Sequence, residues 1–185
     1  SRGLNQKYDR VASRLANPCT VLEVGCHTGY LSQFLIKQGH AVIGLELDER
    51  AAMIARASGV AVIQADVEHP DTFNALPSSR FDVVLLMDVL EHLRFPDRVL
   101  TGVKRLLTPK GRVIITGPNI ANWSIRKNLL IGRWEYTDTG ILDRTHLHFY
   151  TASSWRRLVE QAGYHISEFK SADGLVPAVH WLGLI

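Results

Sequence analysis

Apolar residues follow two alternating patterns along this chain, and the patterns predict strands and helices in turn. Short apolar runs of five to seven residues are typical of strands buried on both faces of a parallel sheet; they lie at residues 20–24, 41–45, 60–64, 81–87 and 112–116. Apolar residues at helical spacing predict helices at residues 4–16, 30–38, 49–58 and 96–107. Strands that alternate with helices at short spacing favour an α/β fold with an open, doubly wound sheet.

The regular alternation stops after the fifth strand. Residues 118–150 are too long and too aromatic for a plain connection, and we predict a helix near 123–130 within them. A helix at 151–162 and a strand near 164–169 follow, whereas the apolar tail at 175–185 shows no strand pattern.

Composition and charge narrow the function. The chain has 21 Lys and Arg against 18 Asp and Glu, and this small excess is not the basic footprint of a nucleic-acid-binding protein. No apolar run is long enough to span a membrane. Cys19 and Cys26 flank one strand, where an extended chain would hold them roughly 23 Å apart, beyond disulfide reach. We therefore expect a reducing, cytoplasmic setting.

The turn after the first strand carries the strongest chemical signal. A dinucleotide-binding G-x-G-x-x-G turn that starts at Gly25 would need glycines where this chain has His27 and Tyr30. Glu23, at the end of the strand, would repel a phosphate. An acid at that position suits a nucleoside that is positively charged and has no phosphate, and S-adenosylmethionine is such a molecule.

Three segments together resemble class I S-adenosylmethionine-dependent methyltransferases. Glu23-Val24-Gly25-Cys26-His27-Thr28-Gly29 is similar to their first motif, acid-x-Gly-x-Gly-x-Gly, with His27 in place of the middle glycine. The strand at 81–87 and the Leu-Glu-His-Leu that follows resemble their fourth motif in small-molecule enzymes. Residues 140–151 resemble a stretch of ubiquinone-type O-methyltransferases and of methyltransferase domains linked to glycan assembly.

The resemblance implies a Rossmann-like sheet and a cofactor site at its carboxyl edge. Glu46, 21 residues after Gly25, is placed to accept hydrogen bonds from ribose hydroxyls. In the family, an acid at Asp66 accepts from the adenine amino group and the backbone of Val67 reads the ring; an exposed loop acid is the alternative for Asp66. The other cofactor contacts that the resemblance implies are Tyr8, Glu23, Gly25, Cys26, His27, Gly29, Tyr30, Leu31, Leu47, Met87, Asp88 and Val89.

Two histidines are candidates for the base that methyl transfer to oxygen requires. His92 follows the fourth strand, with a local helix-start role as the alternative. His146 lies in the 118–150 insertion, where Asp143 could orient it; equally, Asp143, Arg144 and His146 could form a salt-bridged brace. The predicted substrate contacts are Asn119, Trp123, Asp143, Arg144 and His148. His146 and His148 lack a clear third ligand, so we predict no metal site.

The domain plan follows from these assignments. We expect one domain, with a cofactor-covering helix at 1–17, a cofactor-binding core at 18–117, a substrate lid at 118–150 and a C-terminal part at 151–185. The family sheet has seven strands, the last antiparallel, and we expect that last strand to be missing. The resulting open edge and exposed apolar tail would offer a surface for a homodimer.

The predicted function is transfer of a methyl group from S-adenosyl-L-methionine to a small-molecule or glycan acceptor, most simply at oxygen, with S-adenosyl-L-homocysteine as the product. The alternative is an inactive cofactor-binding domain with a regulatory or scaffold role, which His27 and the missing strand would permit. A dehydrogenase is disfavoured because Glu23 and His27 oppose a dinucleotide.

Overall fold

A computed structural model describes residues 9, 11–15, 18–78 and 80–170, and the backbone of residues 179–184. The described residues form one seven-stranded sheet with the order β3-β2-β1-β4-β5-β7-β6. Strands β1 to β5 are parallel, and β7 runs antiparallel to both of its neighbours. The strands are β1 Thr20–Val24, β2 Ala41–Glu46, β3 Ala61–Gln64, β4 Phe81–Met87, β5 Leu107–Pro118, β6 Ile166–Lys170 and β7 Val179–Leu184.

Helices connect the parallel strands close to where the pattern predicted them, except for the short helix α3, Pro70–Asn74, between β3 and β4, which was not predicted. Asp48 caps α2 by accepting from the Ala51 N–H at 2.7 Å, as its position before a helical run suggests. None of the helices in the described part of the chain is both long and apolar enough to cross a bilayer. The helices are α1 Tyr30–Lys37, α2 Glu49–Ala57, α3 Pro70–Asn74, α4 Pro96–Lys104, α5 Trp123–Leu130 and α6 Ala152–Gln161, with a 3₁₀ turn at Leu90–His92.

The central strands β1 and β4 are buried on both faces, as their nearly continuous apolar residues predicted, whereas β3 at the edge is largely exposed. On one face, Val21, Val83 and Leu85 pack with helix α1. On the other face, Leu22 and Val84 belong to a larger core beneath α4 and α6. Successive residues of a strand point to opposite faces, so an unbroken apolar run is what a two-sided sheet requires.

The expectation that the last antiparallel strand is missing is wrong. The backbone of β7 pairs with β5 from Pro118↔Val179 to Val113↔Leu184, and its other edge pairs with β6. Hydrogen bonding explains why this strand forms. Without β7, the edge of β5 would present unpaired N–H and C=O groups, and the backbone of residues 179–184 pairs with them. The open edge on which we based a homodimer is therefore absent from β5.

Strand β5 also starts earlier than predicted. It begins at Leu107 rather than at residue 112, so the turn expected at 108–111 lies inside the strand. The pairing with β4 shifts register between Phe81 and Val83. This irregularity accommodates Pro109, which has no N–H to donate to a sheet ladder.

The turn after β1 lies where the order of the strands reverses. From β1 the chain continues outward through β2 and β3, and then returns to the other side of β1 with β4 and β5. Ligands of open α/β sheets bind at the carboxyl ends of the strands, at such a switch point. The turn after β1 and the end of β4 meet there.

Candidate functional site

A cleft of about 650 Å³ opens at the carboxyl ends of β1 to β4. Its volume is within the usual range for a small-ligand site. Six of the predicted cofactor contacts line it: Gly25, Glu46, Leu47, Asp66, Val67 and Val89. His92 lines the same cleft, together with Val24, Leu45, Ala65, Glu68, His69, Pro70, Leu93, Arg94, Phe95 and Arg98.

Glu46 fastens the first turn to the end of β2. One carboxylate oxygen accepts from the His27 N–H at 2.7 Å, and the other accepts from the Asp48 N–H at 2.9 Å. His27 adopts a left-handed conformation, with φ 49°, where glycine is usual. The turn therefore forms with histidine at this position, and its backbone N–H is already bound to a carboxylate.

Gly25 allows the turn to approach the end of β4. Its φ is +70°, and a Cβ at this position would lie 2.8 Å from Val89 Cγ2. Both residues line the cleft. A side chain at residue 25 would thus strain the backbone and displace part of the cleft wall.

Glu23 lies under the turn, away from the cleft lining. Its side chain is 4% exposed, and the Ser32 hydroxyl of α1 donates to its carboxylate at 2.5 Å. Burial raises the pKa of Glu23 to about 7. The structure therefore does not present this carboxylate at the strand end, where we expected it to face a cation.

Asp66 is an exposed loop acid and also lines the cleft, so it has a feature of each of the two roles considered for it. It is exposed on the loop after β3, where one carboxylate oxygen accepts from the Glu68 N–H at 2.8 Å. It also lines the cleft beside Val67. The carboxylate is thus fixed in a turn at the cleft wall.

The other predicted cofactor contacts lie around the cleft rather than in its lining. Asp88, with φ 55°, accepts from the hydroxyl of buried Thr116 at 2.7 Å and is thereby turned toward β5. Cys26 and Leu31 are buried, whereas Tyr30 is exposed. Gly29 and Met87 are also outside the lining, among the residues that the structure describes. Tyr8 lies outside the described residues.

The lid segment meets the end of β4 at a pair of histidines. The rings of His92 and His146 are 4.7 Å apart between centroids, edge to face. The Glu91 carbonyl fixes the lid beside them, because it accepts from the Leu147 N–H at 2.8 Å and the His148 N–H at 3.1 Å. The two candidate bases, from distant parts of the chain, are thus neighbours.

Different groups hold the two histidines. His92 Nδ1 lies 3.1 Å from the Thr145 hydroxyl and 3.3 Å from the Thr145 carbonyl. The same hydroxyl donates to Asp143 at 2.6 Å. His146 Nδ1 lies 3.1 Å from the Ile141 carbonyl. Asp143 therefore connects through Thr145 to His92, and not directly to His146 as one of the two alternatives for this segment had it.

Burial and neighbouring groups shift the pKa values of His92 and Asp143. Burial, with a smaller contribution from His146, lowers the pKa of His92 below its ordinary value. Hydrogen bonds from the Thr145 hydroxyl and N–H lower the pKa of Asp143. His92 is thus held neutral near pH 7 beside an ionised carboxylate.

The predicted substrate contacts have separate environments. Asn119 accepts from the Ala121 N–H at 3.0 Å, and Trp123 is 56% exposed at the start of α5. Arg144 pairs with Asp138 at 2.9 Å on the lid surface, so its ion-pair partner is not Asp143, the acid of the brace considered for this segment. The His148 ring stacks on Tyr150, with 5.7 Å between centroids.

Glu91, His92 and His146 are the described residues whose donor types could hold a cation. Their donor atoms lie within 4.8 Å of one another, a wider spread than the roughly 3.4 Å between ligands of tetrahedral zinc. The fold thus brings a buried carboxylate to the histidines where the sequence showed no third group. We assign no metal to this group.

Sequence reasoning missed Thr145 and the outer wall of the cleft. Thr145 could have been found from the Asp-x-Thr spacing, because an Asp often accepts from the N–H two residues later, as Asp143 does at 2.8 Å. At the outer wall, the Arg98 guanidinium lies 4.4 Å from the centroid of Phe95. No local pattern marks these residues, since their position depends on how α4 packs.

Residues 1–168 match a family model described as a methyltransferase domain. A ubiquinone biosynthesis O-methyltransferase of Pseudomonas paraeruginosa is 35% identical over 104 residues, which are 54% of this chain and 44% of that protein. A probable S-adenosylmethionine-dependent methyltransferase of Mycolicibacterium smegmatis is 30% identical over 167 residues, 88% of this chain and 60% of the relative. The chain thus spans less than half the length of the ubiquinone enzyme that it matches.

Solved structures share the fold at low sequence identity. An S-adenosylmethionine-dependent methyltransferase from Archaeoglobus fulgidus superposes with a TM-score of 0.76 at 17% identity, covering 100% of this chain and 94% of that one. The magnesium protoporphyrin IX methyltransferase of Synechocystis, solved with bound S-adenosylhomocysteine, gives 0.75 at 18% identity, covering 98% and 83%. These likenesses concern the fold.

Proposed function

The chain belongs to the class I S-adenosylmethionine-dependent methyltransferases, and on that premise we propose that it methylates a hydroxyl oxygen of a small-molecule or glycan acceptor. S-adenosylmethionine supplies the methyl group on a positively charged sulfur. The residues of this chain would bind the nucleoside part, exclude phosphate-bearing nucleotides and accept the proton of the hydroxyl.

The position of Glu46 carries the cofactor assignment. A phosphate-binding turn offers free backbone N–H groups to an anion, but here the His27 N–H is bound to the Glu46 carboxylate. A phosphate at this turn would meet a negative charge instead of a donor. The same carboxylate lines the cleft, where its lone pairs suit the two hydroxyls of a ribose.

The rest of the cleft fits the same nucleoside. Asp66 and Val67 line the wall where adenine would lie, with the carboxylate as an acceptor for an amino group. Gly25 and Val89 bring the first turn and the end of β4 into close approach. Tyr8, Glu23 and the buried first-turn residues remain proposed contacts, with Glu23 acting from beneath the turn.

The histidines support methyl transfer to oxygen. A hydroxyl loses its proton as the new bond forms, and a neutral imidazole is a suitable acceptor near neutral pH. The similarity to a ubiquinone biosynthesis O-methyltransferase agrees with this chemistry. An inactive binding domain would need no base at its cleft, and His92 lines this one.

Calorimetric titration with S-adenosylmethionine tests the cofactor assignment. We expect Glu46→Ala to weaken binding about 10- to 100-fold, which corresponds to the loss of a charge-assisted hydrogen bond. Glu49→Ala is the matched control, because it removes an exposed carboxylate outside the cleft lining. Absence of binding to the wild type, or equal affinity of wild type and Glu46→Ala, would contradict the assignment.

A methyl-transfer screen tests the acceptor class. The wild type would be incubated with deuterated S-adenosylmethionine and a panel of catechols, phenols, amines and oligosaccharides, with products located by mass spectrometry and methyl carbon NMR. We expect the label on oxygen. Labelling confined to nitrogen or carbon would reject the oxygen assignment while leaving the cofactor assignment intact.

A further inference from the structure

Two histidines could serve as the base, and their surroundings distinguish them. His92 lines the cleft, whereas His146 is not part of its lining among the described residues. His146 packs edge-on against His92 and, 6.1 Å away between centroids, against Phe149. Of the two candidates, only His92 therefore reaches the cleft that the cofactor and the acceptor would share.

The hydrogen bonds around Thr145 determine which nitrogen of His92 carries the proton. The Thr145 hydroxyl has one proton, and at 2.6 Å from Asp143 it donates that proton to the carboxylate. The hydroxyl lone pair and the Thr145 carbonyl then face His92 Nδ1 as acceptors. A nitrogen that faces two acceptors must carry the hydrogen, so Nε2 has the free lone pair.

We infer that His92 is the catalytic base, acting through Nε2, and that Asp143 and Thr145 are positioning residues that hold its Nδ1–H through a hydrogen-bonded relay. The inference rests on the proposed methyl transfer to oxygen and identifies the residues that assist it. His146 then has a modulating role, because it packs against His92 but does not belong to the described lining of the cleft.

The relay acts on both the orientation and the charge of His92. When Nε2 takes up a proton, the imidazolium is stabilised by the Asp143 carboxylate two hydrogen bonds away. The other ionisable groups that face His92 are Asp88, Glu91 and His146. Asp88 favours the imidazolium, whereas a protonated His146 would oppose it.

The chemical step balances without a further reactant. The acceptor O–H bond breaks and its proton goes to His92 Nε2, while an oxygen electron pair forms the bond to the methyl carbon. The electron pair of the broken carbon–sulfur bond remains on sulfur, which becomes a neutral thioether. His92 later releases the proton to water.

Nitrogen-15 NMR of the ¹⁵N-histidine-labelled protein tests the relay without an acceptor. We expect His92 to show a protonated Nδ1 and an unprotonated Nε2 at pH 8, with the assignment made by comparison with His92→Gln. Thr145→Val should shift the ring toward the other tautomer, and Thr145→Ser should restore the wild-type signals. A protonated Nε2 in the wild type, or no change in Thr145→Val, would overturn the inference.

Steady-state kinetics with the acceptor from the screen test the consequence for catalysis. We expect His92→Gln to lower kcat by at least about 100-fold and Thr145→Val by about 10-fold or more, with little change in the acceptor KM. Thr145→Ser should recover most of the activity, and Thr139→Val controls for loss of a lid hydroxyl. His146→Gln should remain active and move the acidic limb of the pH profile upward, because His146 lowers the pKa of His92.

The two proposals fail in different ways. If the wild type does not bind S-adenosylmethionine, the proposed function is wrong. If it binds the cofactor and methylates oxygen, but His146→Gln loses as much activity as His92→Gln does, then His92 is not the sole base and the inference is wrong. Equal kcat in Thr145→Val and the wild type would reject the positioning role.

Discussion

Glu23 shows how burial changes the role of a single residue. Its carboxyl is almost fully buried against Ser32, and burial raises its pKa to about 7. In the unfolded chain the same group ionises near its ordinary value of 4.5. Folding therefore favours the protonated form between these two values, so this residue couples stability to pH.

We predict that Glu23→Gln stabilises the protein at alkaline pH. In the wild type the favourable proton uptake is fully present below about pH 4.5 and is lost as pH rises through about 7. Above about pH 7, the ionised Glu23 lowers the free energy of unfolding by about 3 kcal/mol. At pH 5 the loss is about 1 kcal/mol or less. Urea unfolding at pH 8.5 and pH 5 should show this difference in the effect of the substitution.

Glutamine can still accept from the Ser32 hydroxyl, so the comparison isolates the charge. Glu160→Gln, on the exposed side of α6, is the control for a charge change without burial. An effect of Glu23→Gln that is equal at both pH values would contradict the linkage.

The residue scale also shows where sequence reasoning succeeds. Glu46 was expected in the cleft from its spacing after Gly25, and it lies there because that spacing fixes the end of the neighbouring strand. Glu23 differs because a residue at a strand end can turn toward the ligand or toward a helix. The presence of Ser32 on α1 decides the direction, and no pattern within β1 contains that information.

At the scale of elements, α6 packs against β5 through one aromatic residue. Trp155 is fully buried, its indole N–H donates to the Pro118 carbonyl at 3.0 Å, and its ring contacts Tyr150. The ring lies directly over Gly117, where a Cβ would overlap it. The helix thus fits the strand only because residue 117 has no side chain.

We predict that Gly117→Ala destabilises the protein by about 1–3 kcal/mol, since the added methyl group overpacks a buried contact. Chemical denaturation would measure the loss. In a Trp155→Phe background the same substitution should lower the free energy of unfolding by less, because the smaller ring leaves space. A double-mutant cycle gives the coupling free energy between the two positions. Equal costs in both backgrounds would show that Trp155 is not the obstacle.

Elements are the level at which the sequence was most informative. Strands β1 to β4 and helices α1, α2 and α6 were predicted within a few residues, because each strand is an apolar run and each helix has apolar residues at helical spacing. The contact between His92 and Thr145 joins residues 53 positions apart, and no local pattern reports such a distance. The histidines were identified as candidates, but the relay that distinguishes them required the fold.

The whole molecule depends on a strand that the pattern did not show. Strand β7 lies between β5 and β6 and is hydrogen-bonded to both. Gly183 and Pro177 obscured it, since both residues are unfavourable in strands. Without β7, β5 and β6 would each have an unpaired edge.

We predict that a chain ending at Lys170 does not fold into a stable monomer. The exposed edge of β5 and the loss of its pairing partner should lead to association and to a non-cooperative thermal transition. Size-exclusion chromatography with light scattering and a melting curve would show this, with a chain lacking only Ile185 as the control. A monomeric truncated protein with an unchanged melting temperature would contradict the prediction.

The position of β7 has a consequence for biosynthesis. The ribosome makes β5 and β6 before β7, yet these two strands reach each other in the sheet only through the strand that is made last. Domains otherwise begin to fold from the N-terminus as the chain is translated. In this protein the sheet closes only once residues 179–184 have left the exit tunnel, so a nascent chain carries an open β5 edge from the translation of Pro118 until that point.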